Sequence, residues 1–201
     1  LGMDVSSFNV SGKPVFLKKG ELVCRNPFPS MPIYFWNDED GLLYNKAYFN
    51  KYKGVWTHGD YILINNNGGV IIYGRSDSTL NPGGVRIGTS EIYKVVDSID
   101  GIIDSVAIGK KINSDEQIIL FIKSDFMLTD EIILFIKNEL KTKCSPKHVP
   151  YKIFQIQDIP YTLNGKKIEI AVKNIINGDE VFNKSSIANP ESLKYFENIP
   201  I

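Results

Sequence analysis

GRSDSTLNPGGVRIGTSEIY, residues 74 to 93, decides how the chain divides. Its opening, Gly74-Arg75-Ser76-Asp77-Ser78, fits neither the two-residue period of a strand nor the 3.6-residue period of a helix. Upstream, Tyr61 to Asn65 and Val70 to Tyr73 are β-prone runs joined by Asn-Asn-Gly-Gly, a hairpin signal because Asn and Gly tolerate positive φ. Downstream, helix and strand alternate. Residues 89 to 99 predict a helix with Thr89 as N-cap and Glu91 in its positive first turn, ended by Gly101. Ser105 to Gly109 and Gln117 to Lys123 are β-branched apolar runs suited to buried strands. Residues 129 to 144 predict the strongest helix, with Thr129 as cap, acidic Asp130 and Glu131 at its start and Lys141 and Lys143 in its last turn. A strand over 151 to 157 and a helix over 167 to 177, closed by Gly178, complete the order. Helix, strand, strand, helix, strand, helix predicts a small α+β layer domain built on a three-stranded sheet. The expected boundary is Asp77, separating 1–76 from 77–201.

Residues 1 to 55 are harder to place. They hold Pro14, Pro27, Pro29 and Pro32, one strand-like run from Gly20 to Arg25, and the aromatic residues Tyr34, Phe35, Trp36, Tyr44, Tyr48, Phe49 and Tyr52. That is more aromatic surface than so few elements can bury. The stretch reads either as a self-contained loop-rich subdomain or, the reading given more weight, as an edge that packs against sequence lying elsewhere.

Composition narrows the function. Of 201 residues, 23 are Lys or Arg and 23 are Asp or Glu, so the net charge is zero and the electrostatic attraction behind non-specific nucleic-acid binding is missing. No apolar run reaches the roughly 18 to 20 residues of a membrane span. Cys24 and Cys144 lie far apart without metal-ligand spacing, and read as buried thiols in a reducing, cytoplasmic compartment. No metal site is expected in these residues. The opening Leu-Gly-Met-Asp has no initiator methionine and no signal-peptide pattern, so the expectation is a piece of a longer chain. Asn9-Val10-Ser11 and Asn183-Lys184-Ser185 match the glycosylation pattern, by chance if no secretory signal is present.

Three clusters combine residues that chemistry uses. In Trp56-Thr57-His58-Gly59-Asp60, Asp60 is equally a turn-opening aspartate or a ligand-binding carboxylate. Arg75 and Asp77 are a solvated pair two residues apart, or part of a site. Gly83, Gly84 and Gly88 around Arg86, just before a helix, expose backbone donors to which an anion could come, although a glycine-dependent turn fits nearly as well. The run is neither GxGxxG nor a P-loop. Asn164-Gly165-Lys166-Lys167 is a hairpin turn whose lysines are, by local rules, solvated. His58 and His148 have no neighbouring nucleophile with a motif, so a catalytic triad is not supported.

Taken together and in order, HGD at 58–60, GRSD at 74–77, GGVRIG at 83–88 and NGKK at 164–167 resemble the C-terminal portion of the adenylate-forming acyl-CoA synthetase superfamily. PFPSMP at 27–32, VWTHGD at 55–60, IPYTLNGKKIEIAVK at 159–173 and NPESLKYFENIP at 189–200, with the 74–93 stretch, narrow the resemblance to its acetoacetate-activating group.

The resemblance implies the end of a large mixed α/β, hairpin-rich adenylation domain over 1–76, truncated, and a mobile α+β lid over 77–201. It implies two half-reactions: a carboxylate attacks the α-phosphate of ATP to give an acyl-adenylate and diphosphate, then the thiol of coenzyme A displaces AMP. By motif position, Asp60 accepts the ribose hydroxyls and Arg75 adds donors near ribose and phosphate. Asp77 is the hinge. Lys166 enters the site for adenylation with Lys167 as its solvated neighbour, and Gly83, Gly84 and Arg86 line the coenzyme A tunnel. Mg²⁺ ligands, the triphosphate loop and the acyl pocket belong upstream, in the rest of the same polypeptide. Two departures stand out. His58 replaces the superfamily's usual Thr, in keeping with the acetoacetate group, and Lys-Ile-Glu-Ile after the NGK turn is less basic than in acetate-activating relatives. Another short-chain acyl-CoA synthetase and a truncated, non-catalytic nucleotide-binding or protein-interaction module are the competing readings.

Overall fold

In the computed structural model, residues 2–181 and 184–201 are described, and they form two compact units, Leu1–Asp77 and Ser78–Ile201. Asn183 of the second glycosylation match lies outside the described residues. Asn9 of the first closes its own turn, its side-chain oxygen accepting from the Ser11 and Lys13 amides at 2.9 and 3.0 Å.

The first unit is a four-stranded antiparallel sheet in chain order: β1 (Val5–Phe8), β2 (Gly20–Cys24), β3 (Trp56–Ile64) and β4 (Val70–Arg75). The β3–β4 turn forms as its Asn/Gly chemistry predicts. The Asn65 amide donates to Gly69 at 2.9 Å, Gly68 takes φ +76°, and the Asn65 side-chain oxygen accepts from the Asn67 and Gly69 amides. β3 starts at Trp56, ahead of the predicted Tyr61, and β4 runs on past Tyr73 to Arg75, so the 56–60 cluster lies inside β3 instead of in a turn.

The aromatic stretch is more ordered than expected. It contains β1 and a seven-residue helix, α1 (Leu42–Tyr48), whose first amides are capped by the Asp38 carboxylate at 2.8 Å. Tyr48 stacks on Trp56 with centroids 3.6 Å apart, and Phe28, Tyr44 and Phe49 pack around the same indole. Other apolar side chains of the stretch are not covered: Ile33 is 89% exposed and Trp36 85%.

The second unit follows the predicted order: α2 (Thr89–Val96), β5 (Ile102–Ile112), β6 (Asp115–Ser124), α3 (Asp130–Lys143), β7 (Lys152–Gln155) and α4 (Glu169–Asn177). β5 and β6 pair antiparallel through a turn at Asn113 and Ser114, both at positive φ, while β7 joins β6 in parallel. The two-residue period of β6 sends Ile118, Leu120 and Ile122 to one face against Ile92, Val96, Ile136 and Leu140. It sends Ile119 and Phe121 to the other, against Val172 and Phe196. Both faces are therefore buried, as the apolar run predicted.

Helix ends differ from the sequence reading at three places. α2 is capped by Gly88, with Thr89 as its first residue, and the Gly88 amide donates to Glu91 Oε1 at 3.0 Å. It stops at Val96, where the Asp97 amide closes on Tyr93. α4 begins at Glu169, because Lys167 is held in an extended bridge to Tyr161. At α3, Thr129 accepts from the Ile132 amide as expected, and Gly178 ends α4 at φ +78°. No helix among the described residues is long and apolar enough to cross a membrane.

Candidate functional site

The first unit brings three of the sequence-derived residues together. Antiparallel register sets Asp60 of β3 opposite Arg75 at the end of β4. Arg75 Nη1 donates to the His58 carbonyl at 3.2 Å and lies 3.6 Å from Asp60 Oδ1, while Nη2 lies 3.5 Å from Asp77 Oδ2. His58 Nε2 stands 3.2 Å from the other Asp60 oxygen. The guanidinium therefore bridges two carboxylates and does not form the simple two-residue pair that local rules favoured.

Gly59 makes that arrangement possible. Its φ is +86°, and a Cβ there would sit 2.7 Å from Arg75 Nη2. Only glycine leaves the guanidinium room to lie against the strand.

Behind this cluster is a carboxylate that the sequence did not single out. Glu21 of β2 is buried, accepts from Ser76 Oγ at 2.8 Å and is paired with Lys51. A buried carboxylate needs such partners. It ties Ser76 to the sheet, as does the Ser76 amide bond to the Gly59 carbonyl at 2.8 Å. A cleft of about 300 Å³ opens here, lined by residues that include Glu21, Lys46, His58, Arg75 and Asp77. Acceptor-only carboxylates beside a forked donor suit a polar ligand bearing hydroxyl and anionic groups.

In the second unit, Gly83, Gly84 and Arg86 are exposed on the loop before α2. Its amides are less open than the sequence suggested. The Gly83 amide donates to Asp115 Oδ1 at 2.9 Å and the Asn81 amide to Glu116 Oε1 at 2.5 Å. A Cβ on Gly83 would strike the Lys147 ammonium, whereas one on Gly84 would meet nothing within 4 Å. Gly84 offers the open face of this loop.

Lys166 stands on the 162–166 turn. Thr162 N–H donates to the Lys166 carbonyl at 2.8 Å, the Lys166 amide donates to Thr162 Oγ1 at 3.1 Å, and Gly165 takes φ +73°. Its side chain is exposed. Lys167, expected to be solvated, is not. Its ammonium is ion-paired with Asp104 and Asp97 and donates to the Ser105 carbonyl at 2.8 Å.

His148 also differs from expectation. Ser145 Oγ lies 2.8 Å from its Nδ1 and Glu91 Oε2 lies 3.7 Å from its Nε2. This resembles a triad in composition only. Ser145 caps the 146–148 turn, accepting from the Lys147 amide at 3.3 Å, and the imidazole is buried. The two thiols are free. Burial, then the Asp4 charge, raises the pKa of Cys24; burial, then the Glu91 charge, raises that of the half-buried Cys144, so neither is an activated nucleophile. Among the described residues no group of three His, Cys, Asp or Glu side chains could hold a metal ion.

No protein-family model matches the chain. It is 47% identical over 204 residues to the acetoacetyl-CoA synthetase of Gallus gallus, covering 100% of this chain and 31% of that protein. It is 46% identical over 201 residues to the acetoacetyl-coenzyme A synthetase of Rhizobium meliloti strain 1021, covering 99% and 31%. The solved acetoacetyl-CoA synthetase from Streptomyces lividans superposes with a TM-score of 0.90 at 40% identity, over 97% of this chain and 30% of that one. The chain is thus homologous along its whole length to a C-terminal part of acetoacetyl-CoA synthetases, and spans about three tenths of their length.

Proposed function

We infer that the chain is the C-terminal portion of an ATP-dependent acetoacetate–CoA ligase, making acetoacetyl-CoA, AMP and diphosphate through an acyl-adenylate. The observation that carries this reading is the 45% to 49% identity to acetoacetyl-CoA synthetases along essentially the whole chain. Exposed apolar side chains at Ile33, Trp36 and Ile72 of the first unit support a further, upstream part that covers them.

In the first half-reaction an acetoacetate carboxylate oxygen attacks the α-phosphorus of ATP and the bond to diphosphate breaks. Asp60 accepts hydrogen bonds from the ribose hydroxyls, and Arg75, fixed by His58 O and the two carboxylates, supplies donors to the ribose and phosphate. Lys166 neutralises charge on the reacting carboxylate and α-phosphate oxygens. Its exposed side chain on a fixed backbone turn suits a group that must enter a site built elsewhere. In the second half-reaction the thiolate of coenzyme A attacks the acyl carbon and AMP leaves. The 83–86 loop borders the coenzyme, with Gly84 allowing close approach and Arg86 supplying cationic contact. Between the steps the backbone at Asp77 turns as the hinge. The Mg²⁺ ligands fall upstream, and the compartment we assign is the cytoplasm, where thiols such as Cys24 and Cys144 stay reduced.

The test is diphosphate release by the complete polypeptide with a panel of short acids. Acetoacetate is expected to give the highest kcat/KM, and a preference for acetate or propionate overturns the assignment. The 201-residue chain alone is expected to release none, since the triphosphate and acyl sites are upstream.

A further inference from the structure

Two adjacent lysines of identical chemistry sit at the 162–167 turn, and their surroundings separate them. The three donors of the Lys167 ammonium meet two carboxylates and a carbonyl: Asp104, Asp97 Oδ2 at 3.3 Å and Ser105 O at 2.8 Å. The charge also lies 4.1 Å from the centroid of the Tyr93 ring, and the side chain is 21% exposed. Each partner is itself held. Ser105 Oγ donates to Asp97 Oδ1 at 2.6 Å, and the Ser105 amide donates to Asp104 Oδ1 at 2.7 Å. Tyr93 donates to Glu169 at 2.6 Å and accepts from the Ala107 amide at 3.1 Å. Burial, then the Glu169 charge, keeps that phenol protonated well above its ordinary range. Lys166, one residue earlier, has no side-chain partner among the described residues.

We propose that Lys167 is a positioning residue that pins the Lys166 turn to α2 and β5. Lys166 then remains the one lysine of the pair free to reach a nucleotide. The inference rests on the adenylation role given to Lys166 above. Physically, the turn closes at the Tyr161–Lys167 bridge, so an ammonium fixed at Lys167 anchors the end of the turn from which Lys166 projects. Asp97 closes α2 and Asp104 and Ser105 belong to β5, so the anchor is the packed body of the unit. A displacement of about 1 Å in a group that meets a transition state costs on the order of 10²-fold in rate.

Lys167→Met keeps the stem and removes the charge, and Lys167→Arg restores it. In the 201-residue chain, Lys167→Met is expected to speed hydrogen exchange of the Gly165 and Lys166 amides about tenfold, with Lys167→Arg near the parent. Acetylation by an N-hydroxysuccinimide ester is expected to label Lys166 about tenfold faster than Lys167. In the complete ligase, Lys167→Met is expected to lower acetoacetate-dependent diphosphate release by roughly 10- to 10²-fold in kcat. The KM for ATP should hold within about twofold and thioester formation from supplied acetoacetyl-adenylate should be unchanged, with Lys167→Arg recovering most of the loss. Unchanged exchange in Lys167→Met, equal labelling of the two lysines, or an equal loss in both half-reactions overturns the proposal. Lys166→Ala, assayed alongside, separates the two claims. If it abolishes adenylation while Lys167→Met does not affect it, the positioning role alone falls. If Lys166→Ala adenylates acetoacetate at the parental rate, the role assigned to Lys166 falls, and the exchange and labelling still decide the anchoring.

Discussion

Replacing Gly59 by alanine tests the candidate nucleotide cluster at its tightest point. The backbone φ of +86° is one that L side chains rarely adopt, and holding alanine there costs roughly 1–2 kcal/mol. The new methyl would lie 2.7 Å from Arg75 Nη2 and 3.0 Å from Cζ. Because the obstacle is the end of a flexible side chain, the guanidinium swings away and gives up its contacts to His58 O and Asp60. Those half-exposed contacts add little to stability, so the stability loss is the backbone cost. Gly68→Ala is the control: its φ is +76° but nothing lies within 4 Å of its Cβ, so it bears the strain without moving Arg75. The two tryptophans, Trp36 and Trp56, both lie in the first unit, so their emission follows its unfolding separately. With a urea slope of about 2 kcal/mol/M, both variants are expected to lose roughly 0.5–1 M in midpoint. In the complete ligase only Gly59→Ala should raise the KM for ATP. Gly59→Ala as stable as the parent, or Gly68→Ala matching its effect on KM, would refute the reasoning.

Further expectations concern the second unit and the aromatic cluster. Phe121→Ala empties a fully buried site against Phe154 and Phe196 and should cost about 3–5 kcal/mol by hydrogen exchange or circular dichroism; the exposed Leu163→Ala should stay within about 0.5 kcal/mol. At Asp158, burial raises the pKa, but hydrogen bonds from Lys123, Asn189 and the Ile159 amide outweigh it and leave the carboxyl below its ordinary 3.8. Its stabilising effect is therefore present above that value and lost as pH falls through the lower folded value. Asp158→Asn should flatten the fall in stability below about pH 4, measured by urea titration with circular dichroism. Tyr48→Ala removes the ring stacked on Trp56 and should shift tryptophan emission to the red, with no shift refuting the burial of that indole.

Much of the second unit is legible from local pattern, because local pattern is what places it. Period-two alternation from Ile118 to Ile122 sorts side chains to two faces, and Thr129 followed by two acids marks the start of α3. The candidate site is less legible, since its contacts join distant residues. Glu21 meets Ser76 across 55 positions, and Lys167 meets Asp97 across 70. Nothing around Lys167 announces two carboxylates, so local rules favour a solvated lysine and the fold overrides them. The seven-residue α1 leaves little trace in the sequence for a related reason: it is capped from Asp38, three residues before its Gly41 N-cap, and has no buried residue to reveal its period. Gly83 shows the converse. Its glycine signal was visible, but Asp115 taking its amide was not.

The most direct test of the account is Lys166→Ala in the complete ligase, followed through the two half-reactions separately. Acetoacetate-dependent diphosphate release is expected to fall by roughly 10²–10³-fold, the usual loss when one preorganised charge is removed. Thioester formation from supplied acetoacetyl-adenylate and coenzyme A should remain within about twofold of the parent. Equal loss in both half-reactions, or no loss in the first, would contradict the assignment of this turn to adenylation.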